Sequence, residues 1–130
     1  ALAQMTQQDA CFFSYQDILV RRRYSFSEAC DQAIAQLGIH QTIPLGVEVD
    51  TDSISQMPVS AMTNCGISVA DAEHYVWKLA MQDRARYLHL AEAAPSQHPA
   101  GLAAGLSEAG QVLAALVVAF IQGRTARHPR

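Results

Sequence analysis

Only three cysteines occur in the 130 residues, Cys11, Cys30 and Cys65, and no two of them make a C-x-x-C pair. An odd, widely spaced set excludes a disulfide scaffold and a zinc knuckle, and predicts reduced, mostly packed thiols. Charge is scarce too, with 9 basic against 12 acidic residues and a net charge of −3. That balance leaves no electrostatic footprint for nucleic acid or for an anionic membrane. The one basic run, Arg21-Arg22-Arg23, is short and reads as an ion-paired or solvated turn. Also missing is an unbroken apolar run of spanning length. Leu106 to Ile121 is interrupted by Ser107, Glu108, Gly110 and Gln111, which predicts a buried or interface-packed helix. The start, Ala1-Leu2-Ala3-Gln4, has neither an initiator Met nor a signal peptide's charged-then-apolar pattern, and reads as an end left by processing or truncation. A cytoplasmic location is expected. There is no internal repeat.

Half of the residues are hydrophobic, enough for one ordinary core but hardly for two, so residues 1–130 are expected to form a single α/β unit. Ala10 to Ser14 is a short apolar strand candidate, followed by a polar and basic loop from Tyr15 to Tyr24. Ser25-Phe26-Ser27-Glu28 has the S-x-x-E pattern of a capping box. Phe26, Ala29, Cys30, Ala33, Ile34 and Leu37 then fall on one helical stripe, with Gly38 as a stop. The Val47–Asp50 run is nearly continuous in apolar character, which suits a strand covered on both faces.

Ser53 to Ile67 is a long loop punctuated by Pro and Gly, a length more often functional than idle. Ser68 caps a second helix with Ala72, Tyr75, Val76, Leu79 and Ala80 on its apolar face, ending among Gln82, Asp83 and Arg84. Tyr87 to Ala91 is a third strand candidate. Ala94 to Gly110 reads as loop with at most a short helical piece. Val112, Leu113, Leu116, Val117, Phe120 and Ile121 make a final helix that Gly123 ends, leaving Arg124–Arg130 as a disordered tail. Strand, helix, strand, helix, strand, helix argues for a parallel α/β sheet with flanking helices.

In such sheets ligands sit outside the carboxyl ends of the strands, and Asp50, Asp52 and Glu92 all fall there. On an extended strand, side chains at i and i+2 share a face. Two carboxylates so placed repel, and a divalent cation is the usual remedy. The same pair also fits a turn cap or a structural cation, Glu92 fits a solvated loop carboxylate, and Thr63 an ordinary turn hydroxyl. His89, alternating on a strand, reads as a hydrogen-bonded core residue.

Three stretches carry a family resemblance. Val49-Asp50-Thr51-Asp52-Ser53-Ile54, Ser60-Ala61-Met62-Thr63-Asn64-Cys65-Gly66-Ile67-Ser68 and Tyr87-Leu88-His89-Leu90-Ala91-Glu92 together resemble the C-terminal part of the ureohydrolases, the arginase, agmatinase and formimidoylglutamase family. The resemblance is nearest to formimidoylglutamase-like members and implies the C-terminal portion of a three-layer arginase-like parallel sheet. By it, Asp50 and Asp52 are two ligands of a dinuclear manganese site, and Glu92 holds the cationic guanidino or formimino group of a small substrate. Thr63 is the family's substrate-loop threonine, and assembly into a homo-oligomer is implied. A hard, oxygen-rich site suits Mn²⁺, and two such ions activate a bridging water for attack on an amidine carbon.

The departures narrow this. The family's remaining ligands, a histidine and a D-x-H-x-D segment, belong upstream, and none of His40, His74, His89, His98 and His128 stands in such a pattern. After Asp52 the chain runs Ser53-Ile54-Ser55-Gln56-Met57-Pro58, unlike arginases. The expectation is therefore a manganese-dependent hydrolase of linear amidine C–N bonds whose C-terminal part is inactive alone and needs association with its upstream half. The alternative is a non-catalytic scaffold or interaction module that keeps the fold.

Overall fold

The computed structural model describes residues 10–38 and 42–126. Contacts divide the chain into two compact units, with the boundary between Gln41 and Thr42. The fold is mixed α/β, a two-stranded parallel sheet with helices.

In the first unit the expected strand from Ala10 to Ser14 does not form. Those residues are irregular, and a π-helical turn follows at Gln16–Val20. Asp17 organises the turn: Ser14 Oγ donates to Asp17 Oδ2 at 2.8 Å, and Arg21 and Arg23 lie 3.0 and 3.3 Å from Asp17 Oδ1. The basic run is thus an ion-paired turn, with Arg22 in the left-handed region at φ 51°. Helix α1, Phe26–Leu37, opens with the full capping box. Ser25 Oγ accepts from the Glu28 amide and Glu28 Oε2 accepts from the Ser25 amide at 2.6 Å. Gly38 is right-handed at φ −61°, so it does not close the helix with a left-handed cap.

The Ser14 hydroxyl, and then Arg21, hold the Asp17 carboxyl below its usual 3.8, while the Ser25 amide and hydroxyl hold Glu28 below its usual 4.5. Because both folded values are depressed, their contribution is complete above the ordinary carboxylate range and is lost as pH falls through the lowered values. We expect the amide shifts of Phe26 to Glu28 to move toward coil values only on acidification below the ordinary glutamate range. Ser25→Ala should shift that titration back up. An unchanged midpoint in the variant would contradict the cap assignment.

In the second unit, β1 is Leu45–Asp50, α2 is Val69–Ala80, β2 is Ala85–Ala91 and α3 is Leu102–Ala126. Strands β1 and β2 pair in parallel, with Gly46, Val47, Glu48, Val49 and Asp50 opposite Tyr87, Leu88, His89, Leu90 and Ala91. A register shift between Leu45 and Gly46 leaves one extra residue on β2. Val47 and Val49 are buried, but Glu48, Asp50, Tyr87 and His89 are exposed. The sheet is therefore covered on one face, not two. His89 faces Glu48 across the open side, with Nδ1 3.4 Å from Oε2, instead of lying in the core. The Tyr87 ring lies over Gly46, where a side chain would have no room.

The long loop is not polar filler. Ile54, Met57, Pro58 and Val59 are among the most deeply buried residues, so the loop contributes to the packed core. Helix α2 starts on Ser68, whose Oγ accepts from the Asp71 amide at 3.0 Å, and buries Ala72, Val76, Leu79 and Ala80 as its periodicity predicts.

Helix α3 is much longer than the sequence suggests. It begins after Gly101, at φ 92°, and runs through Gly105, Gly110 and Gly123. These glycines are not breakers. A Cβ on Gly105 would strike the Pro95 carbonyl, and one on Gly123 would lie 2.5 Å from the Trp77 oxygen and 2.7 Å from Ala80 Cβ. Close packing at those points offsets the roughly 1 kcal/mol that glycine costs inside a helix. Arg124, expected in a disordered tail, is helical and donates to the Ala80 and Gln82 carbonyls at 3.2 and 2.9 Å. It thereby satisfies carbonyl groups at the end of α2. Residues 127–130 of the expected tail lie outside the described residues. With mean hydropathy 1.8 over its most apolar stretch, α3 is long and apolar enough to cross a membrane by length and composition alone.

Candidate functional site

Strand β1 ends at Asp50 because the chain turns there into a 3₁₀ turn, Thr51–Ser53. Asp50 caps that turn: its Oδ1 accepts from the Asp52 amide at 3.1 Å, and its main-chain oxygen accepts from Ser53 Oγ at 2.6 Å. The two carboxylates are therefore not successive same-face residues of an extended strand. A tight turn, held by the first carboxylate, begins there instead. Asp50 thus has the capping role that its sequence position also allowed.

Asp52 is different. It is half-buried, and its Oδ1 is fully shielded from solvent without a hydrogen-bond partner. A carboxylate oxygen out of water with no donor costs free energy, commonly about 1–3 kcal/mol, and such groups usually find a donor or a cation.

Between the two aspartates, Thr51 is completely buried and donates from Oγ1 to the Ala91 oxygen at 2.7 Å. This bond ties the ends of β1 and β2 together. Residue pattern assigned Thr51 no role, since the residue inside a D-x-D pair reads as a spacer.

Glu92 directly follows β2. It is exposed and left-handed at φ 67°, a conformation that costs a non-glycine residue about 1–2 kcal/mol. The pivot at Glu92 lets the next residues pair with the loop, where Ala93 bridges Val59 and the Ala94 amide donates to the Pro58 oxygen at 2.9 Å. Since Ala91 is the register partner of Asp50, Glu92 stands at the same carboxyl edge as the aspartates.

Thr63 sits apart in function. Its hydroxyl accepts from the Cys65 amide at 3.0 Å and its main-chain oxygen accepts from the Gln56 amide at 2.9 Å. That is a turn-stabilising role. The surrounding loop is fixed by a parallel bridge between Ile54 and Ile67, with Ser55 N to Ile67 O at 2.9 Å and Ile67 N to Ser53 O at 2.8 Å. Gly66 fits this crossing because a Cβ there would lie 2.7 Å from the Ile54 carbonyl carbon and closer still to Ser55 N and Ser53 O.

Asp50, Asp52 and Glu92 are thus brought to one edge, and Thr63 is held in a separate turn. Among the described residues no group of three or more His, Cys, Asp or Glu side chains is placed to hold a metal ion. His40 and His128 lie outside the described residues. His74 stacks at a tilt near Trp77, and His98 is bound to Glu108 at 3.1 Å and to the Ala100 amide at 3.0 Å. A pocket of about 220 Å³ lies between residues 54–58, Val69 and the Glu108, Gln111 and Val112 side of α3, and none of the candidate residues lines it.

The donor set fits a cation only in part. The orphaned Asp52 oxygen and the neighbouring Asp50 carboxylate are hard ligands of the right kind, but two carboxylates do not complete a site. No model of a known protein family matches the chain. No curated protein matches it either.

Proposed function

We propose that the chain is the C-terminal part of a manganese-dependent hydrolase of linear amidine or guanidine C–N bonds, formimidoylglutamase-like, and inactive without its upstream half. The observation that carries this reading is the buried, unpartnered Asp52 Oδ1 at the carboxyl end of a parallel strand. A fold seldom keeps such an atom without a ligand for it. The left-handed backbone at Glu92 supports the reading, because strain kept at an exposed strand-end carboxylate is common at functional sites. The open sheet face agrees with a two-stranded piece of a larger, three-layer arginase-like sheet, since parallel sheets are normally covered on both sides.

In this reading Asp50 and Asp52 are the ligands, with Asp50 also fixing the turn that presents Asp52. When bound in the completed protein, two manganese ions supply an activated water for attack on the amidine carbon. Glu92 pairs with the planar cation of the guanidino or formimino substrate through charge-assisted hydrogen bonds. Thr63 acts by holding the substrate loop in shape. Cys11, Cys30 and Cys65, none of them in a disulfide, suit the reducing cytoplasm.

The test is a manganese titration of this chain alone, followed by electron paramagnetic resonance of the free ion. Two carboxylates without imidazole partners predict weak binding of at most one ion, with a dissociation constant of about 0.1 mM or higher. No turnover of formimidoylglutamate, agmatine or arginine is expected. Absence of any binding that Asp52→Ala removes would defeat the proposal.

A second reading, an interaction module, is favoured by one observation. Helix α3 leaves Leu102, Leu106, Val117, Val118 and Ile121 exposed.

A further inference from the structure

We infer that the pocket between the 53–67 loop and α3 binds a small organic cation, a protonated amine on an apolar body of about ten non-hydrogen atoms. Its floor is Ile54, Met57 and Pro58, all almost wholly buried, and Val69 and Val112 extend the apolar lining. Main-chain bonds fix that floor before any ligand arrives: the Ser55 amide donates to the Ile67 oxygen at 2.9 Å and the Met57 amide to the Ile54 oxygen at 3.3 Å. A pre-formed pocket with an apolar floor and a few polar groups is the usual form of a small-molecule site. Its volume of about 220 Å³ exceeds the roughly 150 Å³ that holds a benzene ring, so a ring with a two-carbon arm fits.

The polar lining selects the charge. Glu108 is the charged residue among those that line the pocket, and no lysine or arginine is with it. The side-chain donors are largely engaged: Ser55 Oγ donates to the Asn64 oxygen at 3.2 Å, and Gln111 Nε2 donates to Ser107 Oγ at 3.2 Å. What these groups still offer is chiefly acceptor capacity, on Ser55 Oγ and Gln111 Oε1. Glu108 is 56% exposed yet held in place, because its Oε2 lies 3.1 Å from Nε2 of His98, whose side chain is 14% exposed. The Ala100 amide donates to His98 Nδ1 at 3.0 Å, which sets the proton of the neutral ring on Nε2 and makes the imidazole a donor to the carboxylate. That leaves Glu108 Oε1 to a ligand. Gln56, exposed at the rim, has a left-handed backbone at φ 63°, a strain that recurs at ligand clamps.

An anion would meet like charge and few free donors there. A neutral apolar molecule would leave the acceptors unpaired. An ammonium with several N–H groups satisfies both conditions, pairing with Glu108 through a charge-assisted hydrogen bond while its apolar body covers the floor. Because Glu108 is half in water, that pair adds little, and the dissociation constant is about 1 mM. Asp50, Asp52 and Glu92 do not line this pocket, so the site stands apart from the carboxyl edge of the sheet and does not depend on the hydrolase reading.

A titration of the whole, metal-free chain with phenethylamine up to about 10 mM at neutral pH, followed by amide chemical shifts, tests this. The amides of Ile54, Met57, Val69 and Val112 should shift and saturate together. Hydrocinnamate, of similar shape and opposite charge, should bind about fivefold more weakly or not at all. Glu108→Gln keeps an acceptor for His98 and should weaken amine binding about fivefold, while Gln111→Glu adds a carboxylate at the rim and should tighten it by about the same factor. Val112→Phe sets a ring in the pocket and should abolish binding. If that variant fails to fold, the two rim variants decide the question, since both positions are exposed on α3. No saturable shift, equal binding of the anion, or binding indifferent to Glu108 and Gln111 would overturn the proposal. So would amine-induced shifts confined to Asp50, Asp52 and Glu92, an outcome that leaves the hydrolase reading standing.

Discussion

Replacing Gly66 with alanine is expected to lower the stability of the 42–126 unit by about 3 kcal/mol, because the crossing of the 53–67 loop has no space for a methyl group. The atoms a Cβ would meet, Ser55 N, Ser53 O and the Ile54 carbonyl carbon, are all main chain and cannot rotate away. Two of them belong to the hydrogen bonds that hold Ile54 beside Ile67. Relief would require breaking that bridge, and with it the burial of Ile54, Met57 and Val59. Gly110→Ala provides the opposite sign. Its surroundings are open and it sits inside α3, so alanine should add about 0.5–1 kcal/mol by helix propensity. Urea midpoints of the two variants against wild type check both signs. A Gly66→Ala protein as stable as wild type would show that the loop is not the packed element described above.

Asp52→Ala is expected to raise the stability of the metal-free chain by about 1 kcal/mol and to remove any stabilisation by manganese. The gain arises because the variant deletes an oxygen that folding takes out of water without providing a donor. The loss arises because a ligand that binds only the folded state stabilises it by mass action, about 1.4 kcal/mol at ten times its dissociation constant. Opposite effects with and without the ion are the signature of a residue kept for a ligand. Thermal melts of both proteins, with and without manganese, read out both effects. An Asp52→Ala protein destabilised in both conditions would mark Asp52 as an ordinary structural carboxylate.

Local chemistry was legible in the residues wherever a short-range rule decides the structure. The Ser25-to-Glu28 capping box, the Ser68 cap, the α2 stripe and both observed strands follow from spacing and side-chain type. What misled were residues whose role depends on a distant neighbour. Gly105 and Gly123 read as breakers because their contacts, Pro95 and Trp77, are 10 and 46 positions away. Ala10 to Ser14 has strand-like side chains but pairs with nothing in the described structure, and an isolated strand has no hydrogen-bond ladder to hold it. The apolar run of β1 suggested cover on both faces, yet Gly46, Glu48 and Asp50 alternate with the valines and mark the open side.

The site was legible in part for the same reason. Three carboxylates at strand ends follow from the order of elements, and the structure brings Asp50, Asp52 and Glu92 to one edge. The 3₁₀ turn that replaces an extended D-x-D, and the buried Thr51 bond that ties both strand ends, were not legible. A capping aspartate and a metal-binding aspartate look alike in a sequence. The structure adds that one Asp52 oxygen is buried without a partner, whereas Asp50 caps the turn.

If this edge is half of a dinuclear manganese site, its other half lies on the polypeptide that carries the histidine and D-x-H-x-D segments. The most direct test is the metal content and amidine-hydrolase activity of the chain assembled with that polypeptide. Two manganese ions per assembled molecule are predicted, with hydrolysis of formimidoylglutamate, agmatine or arginine, both abolished by Asp52→Ala. An assembly that binds no manganese, or one whose turnover survives that substitution, would contradict the assignment.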